Sequence, residues 1–286
     1  MPVFIGTRGR DTIQTPLDGD GPEGLRSYVL GYAGDDVINA GIYSDRDLLD
    51  PVSYRSVVFG GAGDDEISSV FNIQSFWGGR APGDDLTIML HGETGNDSIT
   101  AGYVTSLSMP EGEAPSARID LSGGGGNDRI EIYAQAPDVG EEPPNPVGPY
   151  IGTLEGNQGS DTLIGGDFAD RLIGGQGDDF LRGRGGEDTF VFGSIRDGER
   201  DRVLDFTIGE DLIDISGIDA NAYRRGNQSF TFSEADEFHG AGRVWVEDRG
   251  ATTVVYADNG PDLLRVLIRD GWGIDADDYG AGDFLL

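Results

Sequence analysis

The sequence contains no cysteine and no lysine, and only two of its 286 residues are histidine. Without cysteine there is neither a disulfide framework nor a thiolate metal site. All 20 basic residues are therefore arginine, and 52 acidic residues outnumber them, which gives a formal net charge of −32. Proteins bind the negatively charged nucleic acids through positively charged side chains. The large excess of acidic residues therefore excludes a nucleic-acid-binding protein.

Apolar residues are also scarce. They make up 37% of the chain, below the usual value of about 45–50%, and no apolar run reaches the ~18 residues of a membrane-spanning helix. Residues 1–6 lack the basic and apolar regions of a secretory signal peptide. Such a composition is typical of disorder, yet large apolar residues recur at regular positions. Asp outnumbers Glu by 37 to 15, which favours tight turns and hard cations as the means of neutralising the chain.

A nine-residue repeat covers residues 156–191 in four consecutive copies, which begin at Gly156, Gly165, Gly174 and Gly183. The third copy fits the pattern G-G-x-G-x-D-x-U-x, where U is a large apolar residue. The repeat resembles the calcium-binding nonapeptide of RTX (repeats-in-toxin) proteins.

Single copies of the same motif stand upstream, with one glycine replaced in several of them. They cover residues 6–13, 31–38, 60–67, 92–99 and 123–130, and a degenerate copy lies at 78–85. Their aspartates, together with that of the first tandem copy, are 25, 29, 32, 31 and 33 residues apart: Asp11, Asp36, Asp65, Asp97, Asp128 and Asp161. So many copies in register exclude a chance match.

Each position of the motif has a physical reason. Glycine permits positive φ and close backbone approach, so that carbonyl groups can turn toward an ion, and the Asp adds a carboxylate. Stacked coils place equivalent carboxylates about 4.8 Å apart, where they repel by about 3 kcal/mol at an effective dielectric constant of about 20. Ca²⁺, which takes about 6–8 oxygen ligands in flexible geometry, suits this site better than Mg²⁺.

The sequence therefore predicts an all-β fold. It is a parallel β-roll (a right-handed β-solenoid) with calcium-binding turns, followed by a β-rich C-terminal cap. A tandem coil contains two motifs, so Asp161 and Asp179 share one edge, and Asp170 and Asp188 share the other. An upstream coil contains one motif, so its aspartates form a single row. The opposite edge then carries long irregular loops, predicted at 14–27, 40–55, 69–86, 101–117 and 133–150; for the last, an interdomain linker is the alternative.

The C-terminal part carries a second resemblance. Residues 156–286, and residues 209–220 most specifically, resemble the C-terminal domain of serralysin-type secreted metalloproteases. This resemblance implies a β-rich cap and a further calcium bound just after the roll, for which Asp197 and Asp201 are the matching residues. Residues 282–286 resemble the acidic-then-apolar tail of type I secretion substrates, with an ordinary edge strand as the alternative.

The zinc motif of the serralysins, H-E-x-x-H, is missing. His91 and His239 stand alone, and we expect both to have a structural or solvent-exposed role. No Ser, Thr or Tyr has a recognisable histidine base, so the sequence predicts a protein that is not an enzyme. The aromatic residues are expected to pack rather than to form a sugar-stacking platform: Trp77, Trp245, Trp272, Tyr103 and Tyr133.

Three regions follow from these patterns: irregular coils of roughly 30 residues at 1–155, the tight nonapeptide roll at 156–192, and the cap with its secretion signal at 193–286. Several Ca²⁺ ions are the expected cofactors. The predicted carboxylate ligands are Asp11, Asp36, Asp65, Asp97, Asp128, Asp161, Asp170, Asp179, Asp188, Asp197 and Asp201. The predicted carbonyl ligands belong to Gly31, Gly60, Gly61, Gly63, Gly92, Gly123, Gly124, Gly156, Gly165, Gly174, Gly175 and Gly183.

The leading functional hypothesis is a secreted, extracellular RTX protein that folds on Ca²⁺ after type I export and serves as a structural, adhesive or stabilising module. Its expected partners are calcium ions and the type I secretion machinery, with an extracellular polysaccharide or a cell-surface molecule as a candidate. One alternative is a polysaccharide-modifying epimerase or lyase that uses the loop-bearing edge. The other is the non-catalytic remnant of a serralysin-like protease.

Overall fold

The computed structural model describes residues 3–15, 25–44, 54–73, 86–105, 117–135, 150–195, 197, 200–233, 240–270 and 274–286. These residues form strands and two short 3-10 helices, Ala276–Asp278 and Ala281–Asp283. The strands of the first half are β1 (Val3–Ile5), β2 (Thr12–Gln14), β3 (Leu25–Ala33), β4 (Val37–Asn39), β5 (Ile42–Ser44), β6 (Tyr54–Ala62), β7 (Glu66–Ile73), β8 (Leu86–Thr94), β9 (Ser98–Thr105), β10 (Ala117–Gly125) and β11 (Arg129–Gln135). Those of the second half are β12 (Tyr150–Gln158), β13 (Thr162–Ile164), β14 (Asp170–Gln176), β15 (Phe180–Arg182), β16 (Thr189–Val191), β17 (Arg202–Val203), β18 (Leu212–Asp214), β19 (Thr231–Phe232), β20 (Arg243–Asp248), β21 (Thr253–Asp258), β22 (Leu263–Ile268) and β23 (Phe284–Leu285).

The strands form two sheets. Sheet A has the order β1-β3-β6-β8-β10-β12-β14-β16-β18-β23, and sheet B runs β19-β20-β21-β22-β17-β15-β13-β11-β9-β7-β4-β2, with β5 beside β7. Through the repeats the chain alternates between the sheets, and each strand pairs in parallel with the strand one coil later. The predicted all-β fold, a parallel β-roll, is confirmed.

The core is a thin apolar layer between the sheets. Side chains alternate along each strand, as the pattern of buried and half-buried residues in β8 shows, because successive residues of a strand point to opposite faces. The apolar U residue of each motif points into this layer, from sheet A in the copies that begin at Gly165 and Gly183 and from sheet B in the others. Most of these residues are 0–1% exposed: Ile38, Ile67, Ile99, Ile130, Leu163, Leu172, Leu181 and Phe190. Burying each such side chain contributes roughly 1.5–3 kcal/mol.

The C-terminal residues extend both sheets. Strands β20, β21 and β22 form an antiparallel meander, and β22 joins sheet B through a parallel pairing with β17. Strand β23 pairs with β18 at the end of sheet A. The β-rich cap is thus continuous with the roll, while the division into three regions remains a prediction.

Several strands extend into ranges that the sequence analysis predicted as irregular loops. Strand β5 and the ends of β7, β9 and β11 lie inside the ranges predicted as irregular, because these segments continue the parallel pairing of their coils. The middle of each predicted loop lies outside the described residues, namely 16–24, 45–53, 74–85, 106–116 and 136–149. Trp77, Trp272 and His239 also lie outside them.

A candidate calcium centre along two aspartate rows

The motif aspartates stack in a continuous row along one edge of the roll. Each carboxylate Oδ1 accepts a hydrogen bond from the main-chain N–H of the aspartate one coil earlier, at 2.7–2.8 Å. We call this row one. It brings predicted ligands together and continues past the last motif to Asp201. Its members are Asp11, Asp36, Asp65, Asp97, Asp128, Asp161, Asp179 and Asp201.

A second row lies on the opposite edge. The N–H of Asp170 donates to Asp188 Oδ1, and the N–H of Asp188 donates to Asp211 Oδ1, both at 2.9 Å. These three aspartates form row two. Asp211 was missed by the sequence analysis, although residues 209–213 repeat the G-x-D-x-U part of the motif. Its copy lies outside the nine-residue spacing, which is why the periodicity did not reveal it.

The second carboxylate oxygen is the feature that points to a cation. The aspartates of row one from Asp36 onward are only 0–3% exposed. Their Oδ2 atoms are buried and have no hydrogen-bond partner among the described residues: those of Asp36, Asp65, Asp97, Asp128, Asp161, Asp179 and Asp201. A buried, unpaired carboxylate is costly unless a charge or a metal ion neutralises it.

The first glycine of each motif forms a cradle beneath that oxygen. A Cβ atom added to Gly92 would collide with the Asp97 carboxylate and would lie 2.7 Å from the carbonyl oxygen of Gly123. At Gly60 the same atom would meet Asp65 and would lie 3.0 Å from the carbonyl oxygen of Gly92. A carboxylate oxygen and a carbonyl oxygen of the next coil therefore converge at each glycine, as Ca²⁺ requires.

Main-chain oxygens are essential to such a site. Within the described part of the chain, no group of three or more His, Asp or Glu side chains converges on one point. An ion between two coils must therefore take its remaining ligands from turn carbonyls. The residues present fit a hard cation, since every available donor is an oxygen.

Burial changes the acidity of these groups. Removal from water raises the pKa of Asp65 and Asp179 to about 6. The same cause raises the pKa of Asp97, Asp161 and Asp170 to about 7, and that of Asp188 and Asp201 to about 8. Without a cation the rows therefore hold protons near neutral pH, and a divalent ion must displace them.

Most turns share one backbone conformation, even where glycine is replaced. Gly61, Gly124 and Gly175 have φ of 113°, 111° and 101° at the second position of the motif. Four turns have another residue at that position, and its φ is 75–81° in each of them: Tyr32, Glu93, Asn157 and Arg184. These turns therefore keep the left-handed backbone that aims the carbonyl groups.

Three turns are built differently. In the turn at 165–170, Gly166 N–H donates to Asp170 Oδ2 at 2.6 Å, and in the turn at 6–11, Thr7 N–H donates to Asp11 Oδ2 at 2.5 Å. In the turn at 207–211, Thr207 N–H donates to Asp211 Oδ2 at 2.8 Å. A hydrogen bond within these turns thus engages the oxygen that has no described partner in row one from Asp36 onward.

An arginine stands at the beginning of row two. The Arg184 guanidinium donates to the carbonyl oxygens of Ile132 and Gly165, each at 3.1 Å, and pairs with Glu131 at 2.5 Å. The Gly165 carbonyl, predicted as a calcium ligand, therefore has a positively charged partner within the chain.

The remaining predicted ligands flank the rows. Asp197 lies beside Asp179 and Asp201, since its charge helps to raise the pKa of both, and burial raises its own pKa. Gly183 N–H and Arg184 N–H donate to the two carboxylate oxygens of Asp205, each at 3.0 Å. Asp205 is a residue that the sequence analysis did not single out, because no copy of the motif contains it.

The comparisons with known proteins agree with this geometry. The family model of the RTX calcium-binding nonapeptide repeat matches four segments, residues 27–46, 53–69, 89–103 and 154–192. These repeats bind Ca²⁺. No curated protein sequence matches the chain. Among the described residues, no helix has the length and apolarity needed to cross a membrane.

Two solved structures resemble the chain in outline. An extracellular lipase from Serratia marcescens is 17% identical with a TM-score of 0.36; the match covers 100% of this chain but only 40% of the lipase. A subunit of the mannuronan C5-epimerase from Azotobacter vinelandii is 24% identical with a TM-score of 0.37, over 58% of this chain and 91% of that one. At these scores neither likeness identifies an activity.

Proposed function

We propose that this chain of RTX calcium-binding nonapeptide repeats is a secreted module whose roll folds when Ca²⁺ enters the two aspartate rows. The observation that carries the proposal is the set of seven buried, partnerless Oδ2 atoms in row one. The proposed ligands are the aspartates of rows one and two with Asp197, together with the turn carbonyls predicted from the sequence. Asp205 is a candidate ligand next to Gly183.

Calcium concentration would control folding. With a Kd of ~1 mM, typical of extracellular modules, each site contributes about 1.4 kcal/mol at roughly 10 mM Ca²⁺. About seven sites contribute about 10 kcal/mol, comparable with the whole stability of a domain. At submicromolar calcium this contribution vanishes and the net charge of −32 keeps the chain expanded. Such a chain suits type I export before folding outside the cell.

The proposed role is structural, adhesive or stabilising rather than catalytic. Row carboxylates engaged with a cation are unsuited to acid–base work, because they neither hold nor release a proton. Most of the loop-bearing edge on which the epimerase or lyase alternative depends lies outside the described residues. The remnant of a serralysin-like protease would share the calcium-dependent fold.

Far-UV circular dichroism and calorimetry test the proposal. In EGTA we expect loss of the β-sheet signal, and millimolar CaCl₂ should restore it with several ions bound per chain. MgCl₂ at the same concentration is the control, because Mg²⁺ demands a tighter octahedral site. A β-sheet spectrum that stays the same in EGTA would contradict the calcium-driven fold.

A further inference from the structure

The outer face of sheet A carries an aromatic surface over β3, β6 and β8. The rings of Phe59 and His91 stack with their centroids 4.9 Å apart, and Tyr28 lies 5.8 Å from Phe59. All three side chains are half-buried. We call this surface, with Leu30 and Met89, the ring platform.

The roll itself does not require this platform. In the same coils of sheet B, the outward positions form an in-register polar row of Asn39, Ser68, Thr100 and Glu131. One strand beyond the platform, sheet A presents Ser122 beside His91. An aromatic surface that spans three adjacent strands is typical of a binding site.

A notch opens at one end of the platform. It has a volume of ≈ 290 Å³ and is lined by Tyr28, Leu30, Tyr32, Phe59, Gly61 and Glu93. Gly61 lies in register between Tyr32 and Glu93, which contribute a phenol and a carboxylate to the lining. Both residues have positive φ, 81° and 78°, as the motif turn requires.

Arginines stand at the other end. Arg26, Arg55 and Arg118 share one row of the outer face, interrupted only by Thr87. Arg118 pairs with Asp120 at 2.7 Å, whereas Arg26 and Arg55 make no ion pair with a described residue. Arg55 lies four residues before Phe59 on β6, about 13 Å away.

Ionic screening limits the effect of distant charges on a ligand at the arginine end of the platform. At physiological ionic strength the Debye length is about 8 Å, so the distant aspartates contribute little at the arginine end. Arg26 and Arg55 are exposed and bring two positive charges to this end of the platform, although the net charge of the chain is −32. Charge complementarity therefore favours an anionic ligand that also presents rings and hydroxyl groups.

We propose that the ring platform binds a linear acidic polysaccharide. One sugar ring stacks on Phe59 and His91, and its hydroxyl groups bond to Glu93 and Tyr32. A carboxylate farther along the same polymer meets Arg26 and Arg55. This inference names a partner for the proposed secreted module and rests on that proposal, since the platform exists only in the folded roll.

Short galacturonate oligomers and their methyl esters provide matched probes, because they share the same sugar chain and the ester replaces each negative carboxylate with a neutral methyl ester. Binding is measured by calorimetry in CaCl₂. We expect Phe59→Leu, which removes the ring and keeps an apolar side chain, to weaken binding of both probes about tenfold. Arg55→Gln should weaken binding of the acidic oligomer several-fold and leave the ester unchanged. The control is Arg129→Gln, which removes an exposed arginine from sheet B and should change neither.

Circular dichroism in EGTA and CaCl₂ separates the two proposals. If all variants fold with calcium but Phe59→Leu binds the oligomer as tightly as the parent chain, the platform proposal is wrong and the calcium proposal stands. Wild-type chain that folds with calcium and binds neither probe also overturns the platform proposal. So does self-association that the Phe59→Leu change abolishes without affecting oligomer binding, since the occupant would then be a second copy of the chain.

Discussion

Residues 3–158 and residues 159–214 build one roll in two ways. In the first region, called the one-row region, a coil spans 25–33 residues, and its described residues form an aspartate row on one edge. In the second, called the two-row region, a coil spans 18–23 residues and both edges carry an aspartate row. Strand register is nevertheless continuous across the boundary in both sheets. One aspartate row is therefore enough to hold the register, and the opposite edge is free to accept insertions.

The loop entropy explains this tolerance. Doubling the length of a flexible loop costs only about 0.6 kcal/mol, less than the contribution of one bound ion. The aspartates with the highest pKa lie in the two-row region, where burial raises the pKa of Asp188 and Asp201 to about 8. The pKa of Asp97 in the one-row region is raised to about 7, and that of Asp179 in the two-row region to about 6.

Acid should replace calcium in part, and the effect should be largest in the two-row region. Without metal, the folded chain holds protons on these aspartates that the unfolded chain, with a pKa near 3.8, has released. Raising the pH from about 5.5 to 8 therefore removes stability from the metal-free roll. Far-UV circular dichroism in EGTA at the two pH values measures how much β-sheet remains, with CaCl₂ at both as the control. An equal β-sheet signal in EGTA at both pH values would contradict the raised pKa of these aspartates.

Crowding the cradle is the next test, in the one-row region. Gly92→Ala places a methyl group against Asp97 and the Gly123 carbonyl, which should cost about 1–3 kcal/mol of unfolding free energy together with calcium at that turn. Gly125→Ala is the matched control, since its added Cβ meets nothing within 4 Å. Calcium-dependent thermal melts of both variants compare them. Equal loss in both would show that the cradle binds nothing.

Removing one ligand should distinguish the two regions. Asp97→Asn and Asp179→Asn both keep the Oδ1 acceptor for the N–H of the previous coil and lose one charged oxygen, which should cost about 1.4 kcal/mol each. Hydrogen exchange should show local opening around Asp97, whose coils have no second row. Around Asp179, row two should keep the strands protected. Similar exchange in the two variants would mean that row two adds no stability.

The smallest effect concerns the strained walls of the notch. Glu93→Gly relieves positive φ and should stabilise the roll by about 1 kcal/mol, while it weakens binding of the galacturonate oligomers. Glu155→Gly, in strand β12 on the same outer face, should instead destabilise by about 0.5–1 kcal/mol. Chemical denaturation in CaCl₂ gives both values. Destabilisation by Glu93→Gly would show that position 93 is not strained.

Much of row one was predictable because the motif is local. The spacing from glycine to aspartate to U lies within nine residues, so each turn can be recognised without knowledge of its neighbours. Asp211 shows the limit, since its turn keeps only the G-x-D-x-U part and lies off the period. Asp205 was even harder to predict from the sequence, because it accepts hydrogen bonds from Gly183 and Arg184, which lie 22 and 21 residues earlier in the chain.

The repeat period and the alternation of apolar residues specify the two sheets, the thin core and the edge on which calcium turns stack, because hydrophobic burial and turn chemistry act over a few residues. The partners across coils depend on how distant segments stack. Arg184 reaches Ile132 and Glu131 across 52 and 53 residues. Tyr28, Phe59 and His91 become one surface only when three parallel strands align, since their long and unequal spacings in the chain carry no period.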